Sequence, residues 1–569
     1  MNWRLPFEKE LLLISALLSL MVRLWVAWQP VDELTWRATA DDAYYYFKLA
    51  QHLGIGSGAT FDGIHPTNGF HPLYALLLVP IFQYVGDDIA LGVHLALTLV
   101  ALISVVTAWP IYLIGKHAHS SLAGAIGALI HLINPWVIVL TMTGVESAVY
   151  VGCFAWTVMA YMRWRSSLQS IPGIVSVGLL AGLTIMARSE GILLLVGIVL
   201  DLLIRKKTLR YAITCAILVG GSAFLVCLPW IFWSISLFGT PLQISSSAIT
   251  LHNYANMPEN IYDWVKWYIG RIFWFIPRYL YKIVLFNFLI VIFLVLFYIF
   301  RVKPDFSPVK KYYFLIFSFI AVSIYYNMIL LHQQHWYFNA LVLIVNLVAS
   351  PVMSSGLMYI TSVHALKKYL RFFFVLALGV SSVLFVLNWQ RGLYPGQRFA
   401  YENGIHIAHS HLREERLGAT DSGIIGFFCG CFMANLDGVM NNSAVEYYRV
   451  HGYNWDNILE FAVDQNVAYI FGNKPLDSGK VRTVRRVQFP HGVWYQIERT
   501  EHPVIRSRTP VLSIMERESI SSLGSGSVQQ VILRRVRRST PDTPLNTVPF
   551  PSVGSTQPQQ CGILYPEAR

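Results

Sequence analysis

The chain has 569 residues, 55% hydrophobic and 13% charged, against about 25% charged in a soluble domain. Apolar runs of about 20 residues recur between residues 10 and 389, each enough to cross a hydrocarbon core of roughly 30 Å. That excludes an ordinary soluble enzyme. The net charge of +12 does not point to nucleic acid, because the basic residues cluster in short loops between apolar runs, where the positive-inside rule puts them.

Residues 10–28 are too long for the apolar part of a signal peptide and lack a cleavage site, so the sequence predicts an uncleaved first span. Later basic groups are Lys116, Arg163 and Arg165, Arg205 to Arg210, Arg301 to Lys311, and Lys367 to Arg371. All of them face the cytoplasm only if residues 29–88 form one outer loop. HPLYALLLVPIFQYV (71–85) is then a short helix at the membrane surface rather than a span, consistent with its length and Pro80. The expected spans are 10–28, 89–114, 121–141, 146–162, 171–187, 190–204, 211–237, 284–300, 312–331, 337–359 and 371–389. This predicts a polytopic α-helical membrane protein with about eleven transmembrane helices, its N-terminus inside and its C-terminus outside. Residues 239–282 form a second outer segment, whose Trp264, Trp267, Trp274 and tyrosines suit the headgroup level.

Residues 1–395 read as the membrane domain. Residues 396–501 alternate helix-like stretches (SAVEYYRVHGYNWDNILEFAVDQN) with β-like runs (VAYIFGN, RRVQFPHGVWYQIER), which predicts a small α/β domain outside the membrane. Residues 502–569, rich in Ser, Pro and Arg, read as disordered. Cys429 and Cys431, in FFCGCF, read as buried free thiols, since a metal site needs further ligands.

The chemistry is expected in the first outer loop, DDAYYYFKLAQHLGIGSGATFDGIHPTNGFHP (41–72). Asp41 and Asp42 stand where a helix begins. One acid there is an ordinary N-cap; the second is free to act as a base toward a hydroxyl. Tyr45 and His71 are candidate substrate contacts, while the X-Pro steps around Asn68-Gly69 make a shaped loop. Glu146 lies at the outer start of a span, where an acid either complements the helix dipole or marks a site. Arg188 and Glu190 interrupt a long apolar run. The default reading is a structural ion pair, although positions two apart on a helix do not face each other; the alternative makes Arg188 a fork for a phosphate. Arg271 lies among the aromatics of 239–282 with Lys266, Arg278 and Lys282, either as a snorkelling side chain or against an anionic headgroup. His335 and Tyr337, in HQQHWYF, suit hydrogen bonding; without a matched acid they predict no metal.

The 41–78 block resembles the first outer loop of bacterial GT-C glycosyltransferases, polytopic enzymes related to the protein mannosyltransferases and the lipid A aminoarabinose transferase. NPWVIVLTMTGVES (134–147), GLTIMARSEGILLL (182–195), PWIFWSISLFGTPLQIS (229–245), HQQHWYF (332–338) and GATDSGIIGFFCGCFMANLDGVMNN (418–442) are similar to further family segments. The resemblance spans roughly residues 10–500. It implies a polyprenyl-phosphate sugar donor, an acidic base in the first outer loop, and transfer to an acceptor hydroxyl on the outer face with inversion. It favours Asp41 as base with Asp42 supporting the acceptor or a cation, and leaves room for a divalent cation. Two residues depart from the pattern. Val145 stands where the family has Met before the glutamate, and Thr250 stands where a lysine is expected to meet the donor phosphate. The expected partners are membrane lipid, the lipid-linked sugar and a glycan, lipid or protein acceptor, at the plasma membrane. The rival class is a transporter or lipid flippase, which would place ionisable groups and broken helices at mid-membrane, often in repeated halves. A non-catalytic scaffold, its loop only capping helices, is the other alternative.

Overall fold

The computed structural model describes residues 8–499, apart from 168–169, 206–207, 256–257, 259, 300–304, 363–366, 473–480, 490–491, and also describes residues 532–534. The basic tail is otherwise outside the described residues, and its expected disorder with it.

Among the described residues five helices are long and apolar enough to cross a membrane: Glu10–Ala27, Ile89–Ala118, Leu209–Phe238, Ser307–Ile329 and His335–Met358. A sixth candidate is the pair Ser121–Ile133 and Pro135–Thr141, bent by 61°. The bend falls at Asn134-Pro135, where the ring of Pro135 interrupts the hydrogen-bond ladder and Asn134 caps the new turn through the Trp136 amide (3.0 Å). Of the other expected spans, 146–162 and 371–389 fall on uninterrupted helices of 21 and 25 residues, Ser147–Ser167 and Lys367–Arg391, and the rest on shorter or interrupted ones. Ile192–Ile204 has 13 residues, and Asn287 divides Ile261–Phe286 from Phe288–Ile299. Phe224, Leu225 and Phe232 on Leu209–Phe238 are exposed, as lipid-facing side chains would be.

After the first long helix, α1 (Glu8–Ala27), the segment 29–88 packs three short helices over the long ones: α2 (Val31–Arg37), α3 (Asp41–Gly54) and α4 (Pro72–Val85). With 14 residues and an internal Pro80, α4 is too short to span, as its sequence implies. The Thr67-Asn68-Gly69 turn before it is a hub. Asn68 donates to Ser234 Oγ (2.8 Å) and the Leu242 carbonyl (3.0 Å) and accepts from the Ile244 amide (3.2 Å) and Asn442 Nδ2 (2.9 Å). One buried side chain thus ties segment 29–88 to residues 234–244 and to the C-terminal part.

That part contains the parallel strands β1 (Leu417–Ala419), β2 (Met433–Asn435) and β3 (Tyr469–Gly472), in the order β2-β1-β3. The antiparallel pair β4 (Val481–Phe489) and β5 (Gly492–Arg499) and the short β6 (Ile532–Arg534) extend the sheet. The β-like runs form β3 to β5. Strands β1 and β2, three residues each, are too short to show alternation in sequence. β6 puts three residues of the tail into the sheet, which corrects the expectation of disorder along its whole length. The helix-like stretch forms Asn442–His451 and Trp455–Asp464, whose Tyr448, Ile458 and Phe461 pack with Leu436 and Ile470. One apolar core runs from the long helices through α3 and α4 to Ile424, Phe427 and Tyr469.

The two cysteines near this junction form a disulfide, which corrects the expectation of free thiols. The chain turns at Gly430 and brings the two Cα atoms to 5.1 Å.

Candidate active site

The N-cap of α3 is Ala40, so Asp41 and Asp42 occupy its first turn and neither is the cap the sequence suggested. Their side chains point differently. Asp41 accepts from the Gly423 amide (3.0 Å) and the Ile424 amide (2.7 Å), and thereby caps the helix Gly423–Phe428 of the C-terminal part. It also accepts from the hydroxyl of Tyr45. Tyr45 in turn accepts from the Ser422 amide (2.9 Å) and from Asn435 Nδ2 (3.1 Å), so its hydroxyl is committed to this joint. Asp42 has no such bonds and lines a cavity of about 60 Å³.

The cavity also takes Tyr46, His71, Glu146, Arg188, Ser245, Ile249, Trp336 and Tyr337. Glu146 is brought there by Gly144. At φ +76° it turns the 142–146 loop so closely beneath α3 that a Cβ would sit 2.9 Å from that of Ala43. Ala40 N–H to Thr143 O (3.0 Å) and Tyr74 O–H to Gly144 O (2.6 Å) hold the loop. His71 contributes a buried Nδ1 that has no protein partner.

Arg188 behaves otherwise than its sequence spacing implied. The chain leaves the helix at Arg188, in extended conformation, before the short 3-10 turn Ser189–Gly191, so Arg188 and Glu190 do face each other. Glu190 takes Arg188 Nη2 at 2.8 Å and Nε at 3.3 Å; Nη1 pairs with Glu146, and the guanidinium lies 4.6 Å from the Tyr337 ring centre. The three charged side chains are at most 7% exposed. Tyr326 donates to Glu190 (2.7 Å) and Tyr46 to Glu146. This is a closed ion cluster forming the cavity wall, and its arginine fork is already occupied by carboxylates.

Electrostatics set the two aspartates apart. Burial, then the charge of Asp421, pushes Asp41 up to about 7 against the opposing pull of its amide bonds. Asp42 is held well above the ordinary carboxylate range by burial and by Asp41, Glu146, Asp421 and Asp437. Asp437 is pushed up to about 7, by burial first. Asp421 and Asp437 are functional candidates that the sequence reasoning passed over. Each follows by two residues the carboxyl end of a parallel strand, β1 or β2. Because Ala419 pairs with Asn435, both emerge at one edge of the sheet. The signal was available, in ATDS and NLDG: a short apolar run ending in a polar turn, repeated.

The remaining candidates lie elsewhere. His335 packs edge-on to Tyr394 rather than in the Asp42 cavity. Arg271 lines a second cavity, of about 700 Å³, with Lys266, Arg278 and Lys282 and the faces of Trp267 and Trp274. Among the described residues no carboxylate lines it. Two segments of the chain line both cavities in turn. Ile249 and Asn253, one turn apart on Ile244–Tyr254, line one each, and the segment 331–337 passes from the basic cavity (Leu331 to Gln333) to the acidic one (Trp336, Tyr337). Thr250 donates within its own helix, to Ser246 O (2.7 Å). Among the described residues no three His, Cys, Asp or Glu side chains converge as they would on a metal ion.

No protein-family model matches the chain, and no curated protein matches it by sequence. Solved structures do. The Archaeoglobus fulgidus oligosaccharyltransferase tethered with an acceptor peptide containing the NVT sequon superposes with a TM-score of 0.52, at 16% identity over 83% of this chain and 70% of its own. ArnT from Cupriavidus metallidurans bound to undecaprenyl phosphate gives 0.51, at 15% identity over 80% of this chain and 92% of its own. The fold is the one shared by these two structures. With that fold and its long apolar helices the chain is a multi-pass membrane protein.

Proposed function

We propose that the chain transfers a sugar from a polyprenyl-phosphate donor to an acceptor hydroxyl at the outer face of the membrane. The observation that carries this reading is the adjacency of the two cavities along two common segments: an acidic one with an uncommitted carboxylate, and a basic one with no acid among its described lining residues. Glycosyl transfer needs both. Asp42 takes the proton as the acceptor oxygen attacks the anomeric carbon, and the bond from that carbon to the phosphate oxygen breaks with inversion. The departing polyprenyl phosphate carries its negative charge into the Lys266, Arg271, Arg278 and Lys282 cavity. Those four cations make up for the absent lysine at position 250, and they, rather than Arg188, meet the phosphate. Asp41 positions; it does not take the proton. Tyr337 and His71 wall the sugar's place, with the free Nδ1 of His71 directed at a hydroxyl. Undecaprenyl phosphate, bound to the Cupriavidus ArnT, belongs to the carrier class that the proposed donor would leave behind.

Eleven spans, a cytoplasmic N-terminus and outer placement of residues 29–88 and 396–501 complete the proposal. The basic loops support it by meeting at one end of the helices. Arg165 donates to Lys311 O (2.9 Å), Arg205 to Lys310 O (3.1 Å), and Lys311 to Ala118 O (2.5 Å). Asp201 holds both arginines, at 3.0 and 2.8 Å. Such a basic cluster belongs on the cytoplasmic side. Ser57 is exposed in the first outer segment, so Ser57→Cys is expected to react with an impermeant thiol reagent in intact cells. Reaction only after permeabilisation would invert the topology and remove the outer-face chemistry.

The activity itself is tested by mass spectrometry of envelope glycans and lipid-linked sugars in a deletion strain. The expected result is loss of one sugar from an acceptor with build-up of its polyprenyl-phosphate donor. Unchanged profiles would leave a scaffold; a lost solute or lipid gradient would favour the transporter class.

A further inference from the structure

The helix Gly423–Phe428 carries no charge, yet each of its ends is held by a charge from the same neighbour, α3. At its start the Asp41 carboxylate takes the Gly423 and Ile424 amides. At its end Lys48 Nζ donates to the carbonyls of Gly426 (2.5 Å) and Cys431 (2.9 Å). Residues 41 and 48 are two turns apart on one face of α3, about 10.5 Å along its axis, which matches the length of the short helix. Each charge meets the helix end of opposite sign. The Cys429–Cys431 disulfide closes the turn that presents the second carbonyl. The joint has no slack: a Cβ on Gly423 would lie 2.3 Å from the Asp41 backbone oxygen. Lys48 is 5% exposed and forms no ion pair among the described residues. A buried ammonium is costly, and apolar packing would close this contact at less expense. Its retention needs a reason.

We infer that Lys48 is a positioning residue for the reaction. By gripping the far end of Gly423–Phe428 it fixes the amides that hold Asp41, and so the direction in which the adjacent Asp42 faces the cavity. The turnover part of this inference rests on the glycosyl-transfer proposal; the grip itself rests on geometry alone.

The grip is sensitive to pH. Burial pushes the Lys48 amine down to about 8, against the opposing charge of Asp62. The groups around it are His52 on α3, Asp62 with its partner His65, and Arg413 and Arg416 beside the disulfide turn. The ammonium is present below about pH 8 and is lost as pH rises through it.

The test uses the full-length protein in nanodiscs, as wild type, Lys48→Met and Asp62→Asn. Hydrogen exchange is followed in residues 423–431, with helix Asn442–His451 as internal control, and turnover with the lipid-linked sugar that accumulates in the deletion strain. Lys48→Met is expected to accelerate exchange in 423–428 roughly tenfold and leave the control unchanged. Its kcat should fall roughly 10- to 100-fold with donor KM unchanged, since a misplacement of about 1 Å can cost that much. Wild-type kcat should decline above about pH 8 toward the Lys48→Met level, while Lys48→Met stays flat there. Asp62→Asn removes the charge that supports the ammonium and should move this limb to lower pH. Unaltered exchange in Lys48→Met, or faster exchange with full kcat, overturns the inference. Should Lys48→Met fail to fold, a wild-type limb that Asp62→Asn does not move overturns it. Accelerated exchange in a protein that turns over no lipid-linked sugar overturns glycosyl transfer and leaves the grip standing.

Discussion

Asp42→Asn is expected to abolish most turnover while leaving the protein folded in the membrane. The acceptor proton must be taken as its oxygen attacks, and a neutral amide cannot take it; loss of a general base costs on the order of 10²- to 10⁴-fold. Folding should be spared because Asp42 makes no hydrogen bond among the described residues and faces a cavity. The amide even relieves a crowd of carboxylates that holds Asp42 well above its usual range. The same crowding sets the sign of the pH dependence. Asp42 is a base only when ionised, so wild-type turnover should rise with pH through its raised pKa and fall on acidification. Asp41→Asn should behave differently. An amide offers one acceptor oxygen to the two amides of Gly423 and Ile424, and its NH₂ group faces a donor. That variant should lose stability as well as rate. Kinetics and unfolding midpoints of both, compared in nanodiscs, decide the assignment. Normal turnover in Asp42→Asn with a dead but folded Asp41→Asn would return the base to Asp41.

Arg188→Met should be the most damaging substitution to stability. It leaves Glu146 and Glu190 facing each other without their shared cation, in a wall where neither carboxylate is more than 7% exposed. Removing one partner from a buried ion pair costs about 3–5 kcal/mol, and here two acids lose it. Lys cannot bridge both, because its single ammonium lacks the fork that takes Glu190 through Nε and Nη2 while Nη1 reaches Glu146. The check is the yield of folded protein and its unfolding midpoint, beside donor KM. The triple variant with Glu146→Gln and Glu190→Gln should recover much of the stability. A well-folded Arg188→Met with raised donor KM would instead make this arginine a phosphate ligand.

The membrane class was legible without coordinates, and the basic loops and the aspartate pair on which the proposal builds stood out there too. Each rests on a local signal: the length of an apolar run, the spacing of basic loops, two adjacent acids at a helix start. The roles within the pair were not legible. Asp41 and Asp42 are neighbours in sequence, and only the arrival of Gly423–Phe428, some 380 residues on, commits one and leaves the other free. The Arg188–Glu190 ion pair ran against its spacing for a similar reason. The rule that residues two apart do not meet holds on a helix, and the chain leaves the helix there. Lys48 gave no signal at all, because its partners are backbone carbonyls, which every residue carries. By itself the sequence determined what depends on composition and short-range pattern: a helical membrane protein with an acidic segment after its first apolar run. The tertiary structure alone decided which carboxylate is uncommitted, which arginine is spent and where the basic cavity opens, since those depend on contacts between segments far apart in the chain.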